Sequence, residues 1–120
     1  MKSILIIEDD RDTRETLQSY LKIEGYDVIS AENGLKGLEK LDEVAIGPSL
    51  IFVDLFMPQM SGLDFLKNYS ELYSESRIVL ISACPVDNPD FIEAQSYSDF
   101  AISKPFDLNQ VLDLARQYVH

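Results

Sequence analysis

Five short apolar runs, "SILII", "DVIS", "SLIFVDL", "RIVLISA" and "FAIS", recur along this chain with helical spacing between them. That alternation constrains the fold more than any other feature. Where they are clearest the runs are almost continuous in Ile, Val, Leu and Phe, which suits strands covered on both faces rather than strands with one wet side. Parallel neighbours need right-handed crossovers, and helices supply them. The expected architecture is α/β: a doubly wound, five-stranded parallel sheet with five helices. No linker, repeat or low-complexity segment interrupts the pattern, and 120 residues suffice for one hydrophobic core.

The intervening stretches each carry one apolar stripe. Leu63, Leu66, Tyr69 and Tyr73 mark one helix, and Leu108, Val111, Leu112, Ala115 and Val119 mark the last. A first helix is expected over about 13–24, closed by Gly25 as a left-handed cap, and a second over 34–42 that carries Leu35, Leu38 and Leu41. In "DNPDF", Asn88 reads as a helix cap and Pro89 as the first helical residue.

Charge excludes several functions. Twenty-one acidic against ten basic residues give a formal net charge of −11, so a nucleic-acid backbone or an anionic membrane would be repelled. Direct nucleic-acid binding is not expected. There is neither a signal peptide nor an apolar run long enough to span a bilayer, so no membrane insertion is expected and the cytoplasm is the default compartment. The single cysteine, Cys84, cannot form an intrachain disulfide and reads as a small loop residue rather than a redox sensor. The one histidine, His120, is the last residue, which argues against an internal phosphohistidine or a His-based metal site. Gly34 and Gly37 fit neither a dinucleotide-binding nor a P-loop pattern.

In an open parallel sheet, ligands bind beyond the carboxyl ends of the strands. The polar residues that close the strands here are Glu8 and Asp9, Asp54, Ser82 and Lys104. They are expected at one edge of the sheet. Glu8, Asp9 and Asp10 repel one another unless a cation sits among them. Taken alone, the run also suits a solvated helix start, where carboxylates are favoured. Asp54 is harder to explain that way, because it directly follows the apolar "LIFV". Asp9 and Asp54 together would form a hard, oxygen-rich site suited to Mg²⁺. With a lysine and a hydroxyl nearby, that is equipment for phosphoryl transfer with Asp54 as nucleophile.

The stretches "ILIIEDD", "VDLFMPQMSG", "LISA" and "SKPF" resemble, in order and spacing, the motifs of the receiver domain of two-component response regulators, of the single-domain, chemotaxis-regulator-like kind. The match runs from Ile4 to the final helix. The resemblance implies the flavodoxin-like strand order 2-1-3-4-5. It implies phosphorylation of Asp54 by a sensor histidine kinase or a histidine phosphotransfer protein, and a downstream protein target. Mg²⁺ would be held by Glu8, Asp9, Asp54 and the backbone carbonyl of Phe56. Ser82 and Lys104 match the family's switch hydroxyl and lysine, and the Lys104–Pro105 bond is expected to be cis. Residues 1–120 read as one receiver domain with no output domain, and Met1 suggests a natural N-terminus, although a regulator cut from a longer chain would look the same. The expected activity is that of a switch that catalyses its own aspartyl phosphorylation and dephosphorylation, and not that of a turnover enzyme.

The sequence departs from the family at Ala101, where receivers usually carry Tyr or Phe three residues before the lysine. Phe100 could substitute only if the strand shifted by one residue, which would reverse its faces. Phe56 is a bulky residue near the path of an attacking water, where it would shield an acyl phosphate. Pro58 and Gly62 are read as shaping the loop after Asp54, without chemistry. Ala101 also supports a second reading, a receiver-like interaction module that works without phosphorylation. A Mg²⁺-dependent phosphohydrolase would need an aspartate where Phe56 stands, and a flavin carrier would place a phosphate against Glu8 to Asp10.

Overall fold

The computed structural model describes residues 3–57, 59–73, 75–83 and 87–120. The readings made for Pro58 and Cys84 lie outside them. Among the described residues the elements run β1 (Ser3–Ile7), α1 (Arg11–Ile23), β2 (Asp27–Ala31), α2 (Gly34–Glu43), β3 (Leu50–Asp54), α3 (Gly62–Leu72), β4 (Arg77–Ser82), α4 (Pro89–Gln95), β5 (Phe100–Ser103) and α5 (Leu108–Tyr118). All neighbouring strands are parallel, in the order β2-β1-β3-β4-β5. The fold is the α/β, flavodoxin-like one expected.

The continuous apolar runs have the cause proposed for them. In β1, Leu5 and Ile7 point into one layer with Phe65 and Leu66 of α3, Phe91 of α4 and Leu41 of α2. Ile4 and Ile6 point into the other, with Leu17 and Leu21 of α1 and Val111, Leu112 and Ala115 of α5. A strand buried on both sides has no face left for polar residues, so polarity is confined to its ends. That confinement is what gathers the chemistry at one edge.

Local signals set most helix ends. Asn88 Oδ1 accepts from the backbone N–H of Asp90 at 2.9 Å, and Pro89 opens α4 as expected. Gly25 has φ 98, a left-handed conformation that glycine adopts without strain. The first helix begins at Arg11, two residues before its expected start, because the cap is Asp10, whose carboxylate accepts from Thr13 N at 2.9 Å. The Lys104–Pro105 peptide is cis, as the resemblance implied.

The register of β5 decides the question raised by Ala101. Leu80 pairs with Ala101 and Ile81 with Ile102. Ala101 is exposed, while Phe100 and Ile102 belong to the α1 and α5 layer, where the Phe100 ring lies 5.1 Å from that of Tyr118. Phe100 does not take the place of an aromatic at Ala101.

Candidate functional site

Parallel pairing brings the ends of β1, β3, β4 and β5 to one edge of the sheet. The residue after β1 is Glu8, whose backbone N–H donates to Ala31 O at 3.1 Å and so holds the turn to the end of β2. Arg14 of α1 reaches back and donates to the carbonyls of Glu8 at 2.9 Å and Asp9 at 3.4 Å. Asp54 ends β3, and Leu55 N donates to Ile81 O at 3.2 Å, which keeps the strand paired as far as the site.

The carboxylates of Glu8, Asp9 and Asp54 converge, with one oxygen of each lying within 4.8 Å of the others. Glu8 and Asp54 are buried and Asp9 is exposed. Lys104 faces the two buried carboxylates, its Nζ donating to Glu8 Oε1 at 2.7 Å and to Asp54 Oδ2 at 3.3 Å. Glu8 Oε2 accepts from Asp10 N at 3.2 Å. Ser82 is buried at the end of β4, and its carbonyl accepts from Lys104 N at 2.9 Å, which ties the hydroxyl-bearing strand to the lysine. Phe56 stands two residues past Asp54, half exposed.

Burial disfavours both ionised acids, and their different hydrogen-bond partners then move them in opposite directions. Burial, together with the hydrogen bond and negative charge of Glu8, pushes the Asp54 carboxyl up to about 7, against the pull of Lys104. Burial works against ionised Glu8 as well, but hydrogen bonds to Lys104, Asp54 and the Asp10 N–H outweigh it and hold Glu8 below the usual carboxylate range. Lys104 is raised: burial opposes its charge, and the two carboxylates more than offset that. Two buried acids and one lysine leave an excess of negative charge that a divalent cation would neutralise. The donor set is all oxygen, with few protein ligands and an open side, which fits Mg²⁺.

Of the sequence-predicted residues, Glu8, Asp9, Asp54 and Lys104 thus come together and Ser82 joins them through the Lys104 backbone, with one division inside the acidic run. Asp10 turns to Thr13 and serves as a helix cap, whereas Glu8 and Asp9 face Asp54. Arg14 was missed, and its spacing one turn into α1 gives no signal of its own. Gly62 was read as shaping the loop. It also lies against the end of β3, because a Cβ there would overlap the Asp54 carbonyl oxygen and come within 2.8 Å of Leu55 Cα.

Comparison with known proteins agrees with this geometry. The model of the response regulator receiver domain matches residues 4–116. The chain is similar to the response regulator receiver protein CpdR of Brucella abortus, at 33% identity over 115 residues, covering 94% of this chain and 92% of that protein. It is similar to a transcriptional regulatory protein CpxR homolog of Haemophilus influenzae, at 30% identity over 112 residues, covering 93% of this chain but 48% of that protein. It therefore spans about half of one relative and nearly all of the other. Among solved structures it resembles response regulator protein TrrA of Thermotoga maritima, crystallised in complex with Mg²⁺ and BeF, with a TM-score of 0.82, 27% identity and 98% of each chain covered. Its sequence motifs, sheet order and acidic cluster meet in one conclusion: the chain belongs to the receiver domain family of two-component response regulators.

Proposed function

We propose that this chain is a phosphorylation-dependent switch in which Asp54 accepts a phosphoryl group. The observation that carries the reading is the placement of Lys104 across Glu8 and Asp54, with Asp9 beside them. Glu8, Asp9, Asp54 and the Phe56 carbonyl would hold Mg²⁺, which would neutralise the phosphoryl oxygens and the carboxylates around them. An ionised Asp54 oxygen attacks the phosphorus of a phosphohistidine. An O–P bond forms, the N–P bond breaks, and its electron pair stays on the imidazole. Lys104 then donates to a phosphoryl oxygen, and Ser82 donates its hydroxyl hydrogen to another.

The donor is a sensor histidine kinase or a histidine phosphotransfer protein. A cleft of about 380 Å³ lined by Thr13, Thr16, Leu17, Lys104 and Phe106 opens beside the site and suits its approach. The output is altered binding of a downstream protein, as the new charge biases a two-state surface. Direct nucleic-acid binding does not fit a net charge of −11. No helix among the described residues is long and apolar enough to cross a membrane, and membrane insertion is no part of this reading.

The test is intact-mass spectrometry after incubation with acetyl phosphate and Mg²⁺, with Asp54→Asn and chelator controls. One added phosphoryl group that needs both Asp54 and Mg²⁺ is expected; an adduct that survives in Asp54→Asn would refute the assignment. A second reading, a module that works without phosphorylation, draws on exposed Ala101 and on Phe100 committed to Tyr118. It predicts no adduct and equal partner binding with and without donor.

A further inference from the structure

The segment Glu32-Asn33-Gly34 joins β2 to α2, and the chemistry above uses none of it. Asn33 is nonetheless 4% exposed, and its side chain works in two directions. Its Oδ1 accepts from Lys36 N at 2.8 Å and caps α2, while its Nδ2 donates to Gln59 Oε1 at 3.4 Å. Beside it, Gly34 N donates to Met60 O at 3.3 Å. A Cβ on Gly34 would come within 2.8 Å of Met60 Cγ and 3.0 Å of Met60 O, so this approach is open only to glycine. Gln59 holds φ 66, a left-handed conformation that a residue with a Cβ keeps only where its surroundings over-determine it.

These contacts fasten Gln59 and Met60 to the start of α2. The same loop leaves β3 at Asp54, passes through Phe56 and closes where Gly62 N donates to Leu55 O at 2.8 Å. Its far side is therefore anchored to α2 and its near side to the phosphoacceptor strand. Mg²⁺ tolerates little departure from octahedral geometry, and a neutral carbonyl ligand on a loop contributes only when the loop is held.

We propose that Asn33 and Gly34 are positioning residues for the divalent cation: by pinning Gln59 and Met60 to α2 they fix the loop in the shape that presents the Phe56 carbonyl beside Glu8, Asp9 and Asp54. The inference rests on the Mg²⁺ site proposed above. Because the pinned ligand is neutral and the three carboxylates stay in place, loosening it acts on cation affinity rather than on phosphoryl transfer at saturating cation.

Three variants of the whole chain separate these effects. Asn33→Ser keeps a cap-competent oxygen and loses the amide donor. Gln59→Gly keeps the left-handed backbone and loses the acceptor. Gly34→Ala pushes Met60 away. The Mg²⁺ dissociation constant is read from amide NMR shifts, and the phosphorylation rate from intact mass with acetyl phosphate at saturating Mg²⁺. Each variant is expected to weaken Mg²⁺ at least fivefold while its saturating rate stays within twofold of wild type. The Asn33→Ser/Gln59→Gly double variant should be no weaker than the worse single one, since both remove one bond. Dissociation constants within fivefold of wild type in Asn33→Ser and Gln59→Gly, or a loss confined to the saturating rate, would overturn the proposal, and these two variants decide it if Gly34→Ala does not fold. A wild-type chain with no Mg²⁺ response would instead overturn the site reading itself.

Discussion

Lys104 Nζ lies closer to Glu8 than to Asp54, at 2.7 Å against 3.3 Å. The lysine is thus committed first to Glu8, and this keeps Glu8 ionised while Asp54 carries the raised proton affinity. Replacing Lys104 by Met leaves Glu8 buried without its counter-ion. The expected loss is about 1–3 kcal/mol of stability in chelator at pH 7, below the range for a fully buried pair because the site is open on one side. Urea denaturation measures it. Phosphorylation by acetyl phosphate at saturating Mg²⁺ should fall roughly 100-fold or more, as one charged donor to the phosphoryl oxygens is lost.

Metal-free stability should decline as pH rises through neutrality. The Asp54 carboxyl, at about 7 in the fold against an ordinary 3.8, contributes stability that is complete below pH 3.8 and lost as pH rises through about 7, because the unfolded chain releases its proton first. Glu8 acts in the opposite sense at the acid end, since its contribution is present above 4.5 and lost as pH falls below it. Asp54→Asn removes the like-charge repulsion with Glu8. In chelator it should be more stable than wild type by about 1–3 kcal/mol at pH 8, after allowing for solvent screening, and by little at pH 5. Equal profiles for the two proteins between pH 5 and 8 would contradict this.

Cation binding should carry the same signature. Mg²⁺ must displace the Asp54 proton, so its apparent dissociation constant is expected to fall about tenfold per pH unit from pH 5 towards 7 and to level off above. At a hundred times that constant, Mg²⁺ should stabilise the fold by about 2.7 kcal/mol. Thermal melts at several pH values, with and without Mg²⁺, read both effects.

The acidic run should split by function. Asp9→Ala is expected to weaken Mg²⁺ by roughly tenfold or more, since it removes one of three converging carboxylates. Asp10→Ala should lower the melting temperature through loss of the α1 cap and leave Mg²⁺ affinity near wild type. Titration of the two variants side by side distinguishes them.

Gly62 should tolerate no side chain. Alanine there would force the Asp54 carbonyl and Leu55 backbone apart, with an expected cost of about 1–3 kcal/mol and a lower phosphorylation rate. A fully stable and active Gly62→Ala protein would show that the β3 end shifts freely.

The sequence by itself determined the layered architecture and the edge where the chemistry lies. Strand and helix periods are local properties, and a strand such as Ile4–Ile7, buried on both faces, can place charge only at its end. The cap at Asn88 and the turn at Gly25 were legible for the same local reason. The tertiary structure alone decided how closely Glu8, Asp9 and Asp54 converge, with one oxygen of each within 4.8 Å of the others. It also decided that Lys104 favours a partner 96 residues away over one 50 residues away, and that Phe100 turns to Tyr118. The anchoring of Gln59 and Met60 on Asn33 and Gly34 is of the same kind. Such relations depend on register and on the approach of distant backbones, where tenths of an ångström separate a hydrogen bond from a clash. No periodicity along one chain encodes them.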